Sequence, residues 1–155
     1  MRQPELDDRD RAILRALQED GRLSNTDLAD RVGLSPSACL RRVRILEESG
    51  LVAGYAMILD QKAFGFPGTA FVSITLDQQG RQALDAFESA VRAVPEIPEC
   101  HLLAGQSDYL VRVVYRDAAD LERIHTEILT RLPGVVRITS TLALREVKKT
   151  TRLPV

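Results

Sequence analysis

Apolar residues recur every three or four positions through the first 50 residues of the chain, a pattern that predicts helices. Two of them cover residues 6–21 and 24–33, each closed by a glycine, and a third covers residues 36–49. The run Gly33-Leu34-Ser35-Pro36 places a C-terminal glycine, an N-cap serine and a first-turn proline within four positions. Three helices whose last two are joined by so tight a turn form a helix-turn-helix unit.

From residue 69 onwards the pattern alternates between strands and helices. The predicted elements are strands over 69–76, 100–104, 109–115 and 135–147 and helices over 78–94 and 117–132. Their order, β-α-β-β-α-β, is that of a ferredoxin-like domain, in which both helices cover one face of an antiparallel sheet. The other face has no cover, so we expect a homodimer that buries Phe71, Ile74 or their alternating neighbours.

A segment rich in glycine and proline, Phe64-Gly65-Phe66-Pro67-Gly68, separates the two patterns. The fold class expected is therefore α+β, with an N-terminal helix-turn-helix domain over residues 1–53. A C-terminal ferredoxin-like βαββαβ domain is expected over residues 69–155. Residues 54–68 are expected to form a linker that contains a short strand.

The charge and the motifs of the sequence limit the kinds of functional site that we expect. The formal net charge is −1, so any surface for nucleic acid has to be local. The cysteines Cys39 and Cys100 lack metal-ligand spacing, and phosphate-loop and nucleophile motifs are missing from the sequence. We expect no metal, no cofactor and no catalytic residue. Because no signal-peptide pattern or membrane-length apolar run is found, a cytoplasmic protein without a membrane partner is expected.

Short motifs along most of the chain resemble those of one family. In the first half they are Leu6-Asp7-x-x-Asp10-x-x-Ile13-Leu14, Asp20-Gly21-Arg22, Leu28-Ala29, Gly33-Leu34-Ser35-Pro36-Ser37, Arg42-Val43, Leu46-Glu47 and Gly50-Leu51-Val52. In the second half they are Gly105-x-x-Asp108-Tyr109-Leu110, Leu132-Pro133-Gly134-Val135, Thr139-x-Thr141 and Val147-Lys148-x-Thr150. In this order they resemble the Lrp/AsnC transcription regulators.

The resemblance implies a winged helix-turn-helix that binds double-stranded DNA, joined by a linker to a ferredoxin-like effector and assembly domain. It implies dimers that assemble into an octamer or a similar ring. It also implies a small-molecule effector, usually an amino acid.

The third predicted helix carries the candidate DNA-binding residues. If Cys39, Val43 and Leu46 face the core, Ser37, Arg41 and Arg44 project to the opposite side. Arginine can pair with guanine or phosphate, and a serine at a helix N-terminus can bind phosphate. The expected DNA-binding set is Ser35, Ser37, Ala38, Arg41, Arg42 and Arg44. The alternative is an ordinary solvated face; for Arg42, which flanks the buried stripe, a salt bridge to an acid of the first helix is an equal alternative.

The candidate effector site is the turn Gly105-Gln106-Ser107-Asp108, where backbone N–H groups and one carboxylate can meet an amino-acid zwitterion. In similar proteins this loop and the region Thr139-Ser140-Thr141 line an effector site between subunits. The alternative is that Gly105 and Asp108 simply shape a turn.

Two functions are compatible with these patterns. One is a sequence-specific DNA-binding regulator that responds to an amino acid or a similar effector. The other is a dimeric ferredoxin-like metabolic enzyme with an accessory helical domain, which needs convergent acid, base or metal ligands in the second half. Only Asp108, His101 and the threonines are candidates for such groups there, so the regulator is favoured.

Overall fold

The computed structural model describes residues 5–155, and the elements below belong to that range. The chain forms two compact units. One extends to Ile58 and also includes Lys148–Val155, and the other comprises Leu59–Val147. We call them the helical unit and the sheet unit.

The helical unit contains α1 (Asp8–Glu19), α2 (Asn25–Val32) and α3 (Pro36–Glu48). Each begins at a side-chain N-cap, namely Asp7, Ser24 and Ser35 in turn, and each cap accepts a hydrogen bond from a first-turn N–H. The left-handed Gly33 ends α2, as its position in the tight turn predicts. The core buries Ile13, Ala16, Leu28, Ala29, Val32, Cys39 and Leu46. The predicted helix-turn-helix is confirmed.

The sheet unit follows the predicted order of elements. These are β1 (Gly68–Leu76), α4 (Arg81–Arg92), β2 (Glu99–Leu102), β3 (Tyr109–Tyr115), α5 (Ala118–Arg123) and β4 (Val135–Leu142). Within the described residues the strands form an antiparallel sheet in the order β2-β3-β1-β4. This is the ferredoxin-like arrangement, since each helix returns the chain past one intervening strand.

One face of the sheet packs with the helices. Ala70, Val72, Ile74, Val111 and Val113 are fully buried in one core with apolar residues of the segments 81–92 and 118–132. Phe71 lies on the opposite face and is 42% exposed. The expectation that placed Ile74 together with Phe71 in a dimer interface is therefore wrong for Ile74, because positions three apart on a strand point to opposite faces.

The helix predicted over residues 117–132 changes type along its length. After α5 the chain continues as a π-helical turn, Ile124–Ile128, and a 3-10 turn, Leu129–Arg131. Buried Ile124 and Leu129 are five positions apart, a spacing that one wide π turn accommodates. The apolar pattern therefore located the segment and its buried side, and it did not reveal the change of helix type.

Strand β4 is shorter than predicted, ending at Leu142 instead of residue 147. Among residues 5–155 its one sheet neighbour is β1, whose Ala70 pairs with Leu142. Ala143 makes one more backbone hydrogen bond, to Thr69, next to the first residue of β1. The strand ends because its partner ends.

The linker differs from the expectation as well. Within residues 5–155, no strand forms between residues 54 and 67, because this segment has no neighbouring strand in the chain. Residues 60–66 fold into consecutive turns instead. The Gln61 side chain fixes them to the sheet unit: its amide nitrogen donates to Gly68 O (3.2 Å) and Thr69 Oγ1 (3.0 Å), and its oxygen accepts from Arg112.

Candidate DNA-binding and effector-binding surfaces

Helix α3 presents a polar face opposite its buried stripe. Cys39 and Leu46 point into the helical core, whereas Ser37, Arg41 and Arg44 are exposed. This confirms the predicted orientation of the helix. Among residues 5–155, neither Arg41 nor Arg44 forms an ion pair, so both guanidinium groups are available to an anionic partner.

Ser35 and Ala38 have a structural role at the start of α3. The Ser35 hydroxyl accepts the Ala38 N–H at 3.3 Å and caps the helix. Ser35 Oγ also lies 3.3 Å from Ser37 Oγ, which joins the two hydroxyls into one small polar cluster. Asn25, the first residue of α2, donates to Pro36 O at 2.8 Å. The N-terminal ends of α2 and α3 are thereby held together.

Arg42 is paired within the unit. Its Nη1 donates to Asp7 Oδ2 at 2.7 Å and to Asp10 Oδ1 at 2.8 Å. The salt bridge to an acid of the first helix, one of the two roles open for Arg42, is therefore formed. The Asp10 backbone N–H and then the Arg42 guanidinium hold the pKa of Asp7 below its ordinary value. The contact fastens α3 to the capping box of α1.

In the sheet unit, the turn at residues 105–108 connects β2 and β3. Asp108 is used by the fold: its Oδ2 accepts the Leu76 N–H at 2.7 Å and its Oδ1 accepts Gln79 Nε2 at 2.8 Å. The backbone of Asp108 also bonds with Ile74 and Leu103. Both carboxylate oxygens thus hold the end of β1 against the turn, which is the turn-shaping role that the sequence left open.

Tyr109, the next residue of the motif, is likewise fixed in the interior. It is 1% exposed, lies against Phe87 with ring centroids 4.4 Å apart, and donates its hydroxyl to Glu88 Oε1 at 3.1 Å. Burial, and then the bond to Glu88, raise the pKa of Tyr109 to about 12. Asp108 and Tyr109 together set the shape of the turn.

The remaining turn residues are open to a ligand. Gly105 and Gln106 are exposed and Ser107 is half-buried. A Cβ added to Gly105 meets nothing within 4 Å, so the space in front of its backbone is free. This is the part of the predicted effector set that the structure leaves accessible.

Thr139, Ser140 and Thr141 lie on β4, away from that turn. Thr139 pairs with Ser73 and Thr141 with Phe71, on the uncovered face, whereas Ser140 pairs with Val72 on the helix-covered side. Strand β1 separates β4 from β3, and neighbouring strands are about 4.8 Å apart, so β4 lies about 10 Å from β3. One chain does not bring the two halves of the predicted effector site together.

Comparison with known proteins identifies the family. A family model described as the Lrp/AsnC ligand binding domain matches residues 69–153, and one described as winged helix-turn-helix DNA-binding matches residues 6–53. The chain belongs to the Lrp/AsnC family. It is a transcription regulator with a DNA-binding helix-turn-helix, and the alternative of a ferredoxin-like enzyme is set aside.

Whole-chain relatives agree with this family. The chain of this Lrp/AsnC regulator is 42% identical over 149 residues to the leucine-responsive regulatory protein of Escherichia coli, covering 96% of this chain and 91% of the relative. The crystal structure of a Neisseria meningitidis transcriptional regulator in complex with L-Met superposes with a TM-score of 0.92 at 37% identity, covering 97% of each chain. An AsnC family regulator from Agrobacterium tumefaciens gives a TM-score of 0.91 at 36% identity, covering 96% of this chain and 97% of that one.

In the part of the regulator that the structure describes, no three His, Cys, Asp or Glu side chains are grouped so as to hold a metal ion. Across the same residues, no helix combines the length and the apolar character needed to cross a bilayer.

Some contacts that shape these surfaces cannot be predicted from local sequence patterns. The partners of Asp108 are Leu76 and Gln79, about 30 positions earlier, and no local pattern links them to the turn. The contact of residues 153–155 with α1 spans more than 130 positions, and no local pattern predicts it either. In contrast, Arg42 could be paired with α1 because both lie on regular helices.

Proposed function

We propose that this regulator binds double-stranded DNA through the exposed face of α3 and that an amino acid bound to the sheet unit modulates this binding. The observation that supports it is the pair Arg41 and Arg44, exposed on one helix face opposite buried Cys39 and Leu46. An arginine fork suits guanine O6 and N7 or a backbone phosphate. Ser37 and the capped N-terminus of α3 suit an adjacent phosphate.

The residues of α3 divide into direct and supporting roles in this proposal. Arg41, Arg44 and Ser37 contact DNA. Ser35 and Ala38 hold the first turn of α3 in place beside the DNA, and Arg42 acts through its salt bridges to α1. The proposed domain division follows the same lines: residues 1–53 bind DNA, 54–68 link, and 69–155 form the domain with the effector site, although its last residues, 148–155, pack with the helical unit.

The proposed effector site uses Gly105, Gln106 and Ser107 of one subunit with Thr139 and Thr141 of another. The open backbone at Gly105 supports it. Because β1 lies between β3 and β4 within one chain, the threonines have to come from a second subunit. The Neisseria relative was crystallised with L-Met, which supports an amino acid as the ligand. Asp108 positions the turn. Such a site requires a homodimer, which we propose assembles further to an octamer in the cytoplasm.

The DNA-binding part is tested by fluorescence anisotropy with a labelled duplex from the region upstream of the regulator's own gene. We expect saturable binding that survives an excess of unrelated duplex. The variant Arg41→Ala removes one proposed DNA contact and is expected to bind the duplex more weakly. Arg81→Ala, which removes an exposed arginine of the sheet unit, is its matched control. Equal competition by both duplexes would contradict sequence-specific binding.

The effector part is tested by calorimetry with each of the common amino acids. Gly105→Ala is expected to bind nearly as the parent does, because a Cβ at this position meets open space. Gly105→Leu is expected to block binding by occupying that space. If both variants bind the ligand like the parent, the effector site lies elsewhere.

A further inference from the structure

The C-terminal segment Lys148–Val155 belongs to the helical unit, although it follows the sheet unit in sequence. Gln18, in the last turn of α1, holds both polar backbone groups of Leu153: its Oε1 accepts the Leu153 N–H at 2.6 Å and its Nε2 donates to Leu153 O at 3.2 Å. Arg15, one turn earlier, donates from Nε to a backbone oxygen of Val155 at 2.7 Å. The segment is therefore attached to α1 at two points.

These contacts involve no side chain of the segment. Gln18 pairs with backbone groups only, in the manner of a neighbouring strand, so the attachment does not depend on which side chains the segment carries. Lys148, Lys149 and Arg152 are all exposed. Within residues 5–155 none of the three takes part in a salt bridge.

The segment changes the charge of the unit that binds DNA. Up to residue 58 the sequence contains nine arginines, no lysine and ten carboxylates, which gives a net charge of −1. Residues 148–155 add three cations and no acid, so the helical unit as a whole carries +2. The segment therefore changes the net charge of the unit from negative to positive, which favours a polyanion.

The attachment point lies at a defined end of the helical unit. Gln18 is in the last turn of α1, and a short turn leads from there to α2. The first residue of α2, Asn25, bonds to Pro36 O at the first residue of α3. The C-terminal end of α1 is therefore connected, through the start of α2, to the start of α3, where Ser37 is exposed.

We propose that the C-terminal segment is a second DNA-contacting element, held on α1 by Gln18 and Arg15, which binds backbone phosphates through Lys148, Lys149 and Arg152. This inference rests on the proposed DNA-binding function of α3. Phosphate contacts by lysine and arginine release counterions from DNA and carry no sequence information. The segment raises affinity for every sequence, and α3 distinguishes between sequences.

The test measures binding of the full chain to a duplex of fixed mixed sequence by anisotropy, between about 50 and about 200 mM salt. The variant combines Lys148→Ala, Lys149→Ala and Arg152→Ala. Each phosphate contact contributes about 0.9 to the slope of log K against log salt, so we expect the slope to fall by about 2 to 3 and affinity to fall about 10- to 100-fold. Sequence preference among competitor duplexes is expected to stay unchanged.

Two further variants separate the effect of the segment's position from the effect of the total charge of the protein. Lys62→Ala with Arg81→Ala and Arg145→Ala removes the same number of cations from exposed positions of the sheet unit, and we expect it to keep the parent slope. Gln18→Ala keeps every charge but releases Leu153, and we expect it to lower the slope in the same direction as the segment variant.

The outcomes are distinct. A parent chain that binds no duplex contradicts the proposed function and this inference with it. A parent chain that binds, with an unchanged slope in the segment variant or an equal loss in the sheet-unit variant, overturns the inference alone. A parent slope in Gln18→Ala overturns the role of Gln18 in holding the segment.

Discussion

The helical unit and the sheet unit carry opposite net charge. The helical unit has +2, and the sheet unit, with nine cations against twelve carboxylates, has −3. The chain total of −1 hides this division. The net charge of the helical unit favours a polyanion and that of the sheet unit disfavours it, so the charge distribution favours approach of DNA to the helical unit.

The two units also support their candidate sites differently. Arg41 and Arg44 lie on a regular helix whose opposite side is buried, so packing of the helix fixes where they point. Gly105 to Ser107 lie in a turn that Asp108 holds through Leu76 and Gln79. A substitution on the exposed face of α3 can therefore remove a DNA contact without disturbing the fold. A substitution in the turn can change both the ligand contact and the fold of the turn.

The largest effect is expected from combining Arg41→Ala with Arg44→Ala. Both guanidinium groups are exposed, so their loss should weaken DNA binding by about 3 kcal/mol, roughly 100-fold, and leave unfolding unchanged. Anisotropy at fixed salt and thermal unfolding measure the two quantities. A similar loss of affinity in Arg81→Ala would show that general charge, not the α3 face, attracts the DNA.

The next largest effect is expected at Asp108. Asp108→Ala leaves the buried Leu76 N–H without its acceptor and should destabilise the sheet unit by about 2 kcal/mol. Asp108→Asn retains an acceptor oxygen and should lose less. Urea unfolding of the full chain provides the measurement. If Asp108→Ala unfolds like the parent but no longer binds the effector, then Asp108 is a ligand contact and not a support of the turn.

These two regions show how much of the molecule the sequence predicts. Apolar spacing located the helices and strands, and periodicity along α3 placed Arg41 and Arg44 on the exposed side. The sequence left the role of Asp108 open between ligand contact and turn-shaping, and it could not reveal the partners of Asp108, because they lie at the end of a different strand. The length of β4 could not be predicted either, since it depends on where β1 begins. Local patterns specify elements, and contacts distant in sequence specify loops and strand ends.

A smaller effect is expected from the serines of α3, which separate capping from DNA contact. Ser35→Ala removes the acceptor of the Ala38 N–H and should destabilise α3 by about 1 kcal/mol. Ser37→Ala should leave stability unchanged and weaken DNA binding. Hydrogen exchange of α3 amides and anisotropy report the two effects. Loss of exchange protection in Ser37→Ala as well would mean that the paired hydroxyls act as one cap.

The smallest effect is expected at the salt bridge between α3 and α1. Arg42→Ala should lower hydrogen-exchange protection of α1 by a few-fold and weaken DNA binding less than Arg41→Ala does, because Arg42 is already engaged by Asp7 and Asp10. Arg42 makes both hydrogen bonds with a single nitrogen, Nη1. The single ammonium nitrogen of lysine in Arg42→Lys can therefore replace Nη1 as the donor. Arg42→Lys should therefore recover most of the protection.

The same contact makes the stability of the helical unit dependent on pH. The pKa of Asp7 is lowered in the folded chain, first by the Asp10 N–H and then by Arg42, so its carboxylate stabilises the fold above the ordinary carboxyl pKa. That stabilisation is lost as the pH falls below about 4 and through the lowered folded value. Arg42→Ala should reduce this loss without abolishing it, since the Asp10 N–H remains. A pH series of exchange protection in α1 decides the matter: identical acid profiles for the parent and Arg42→Ala would show that the cap alone, and not the salt bridge, fastens the start of α1.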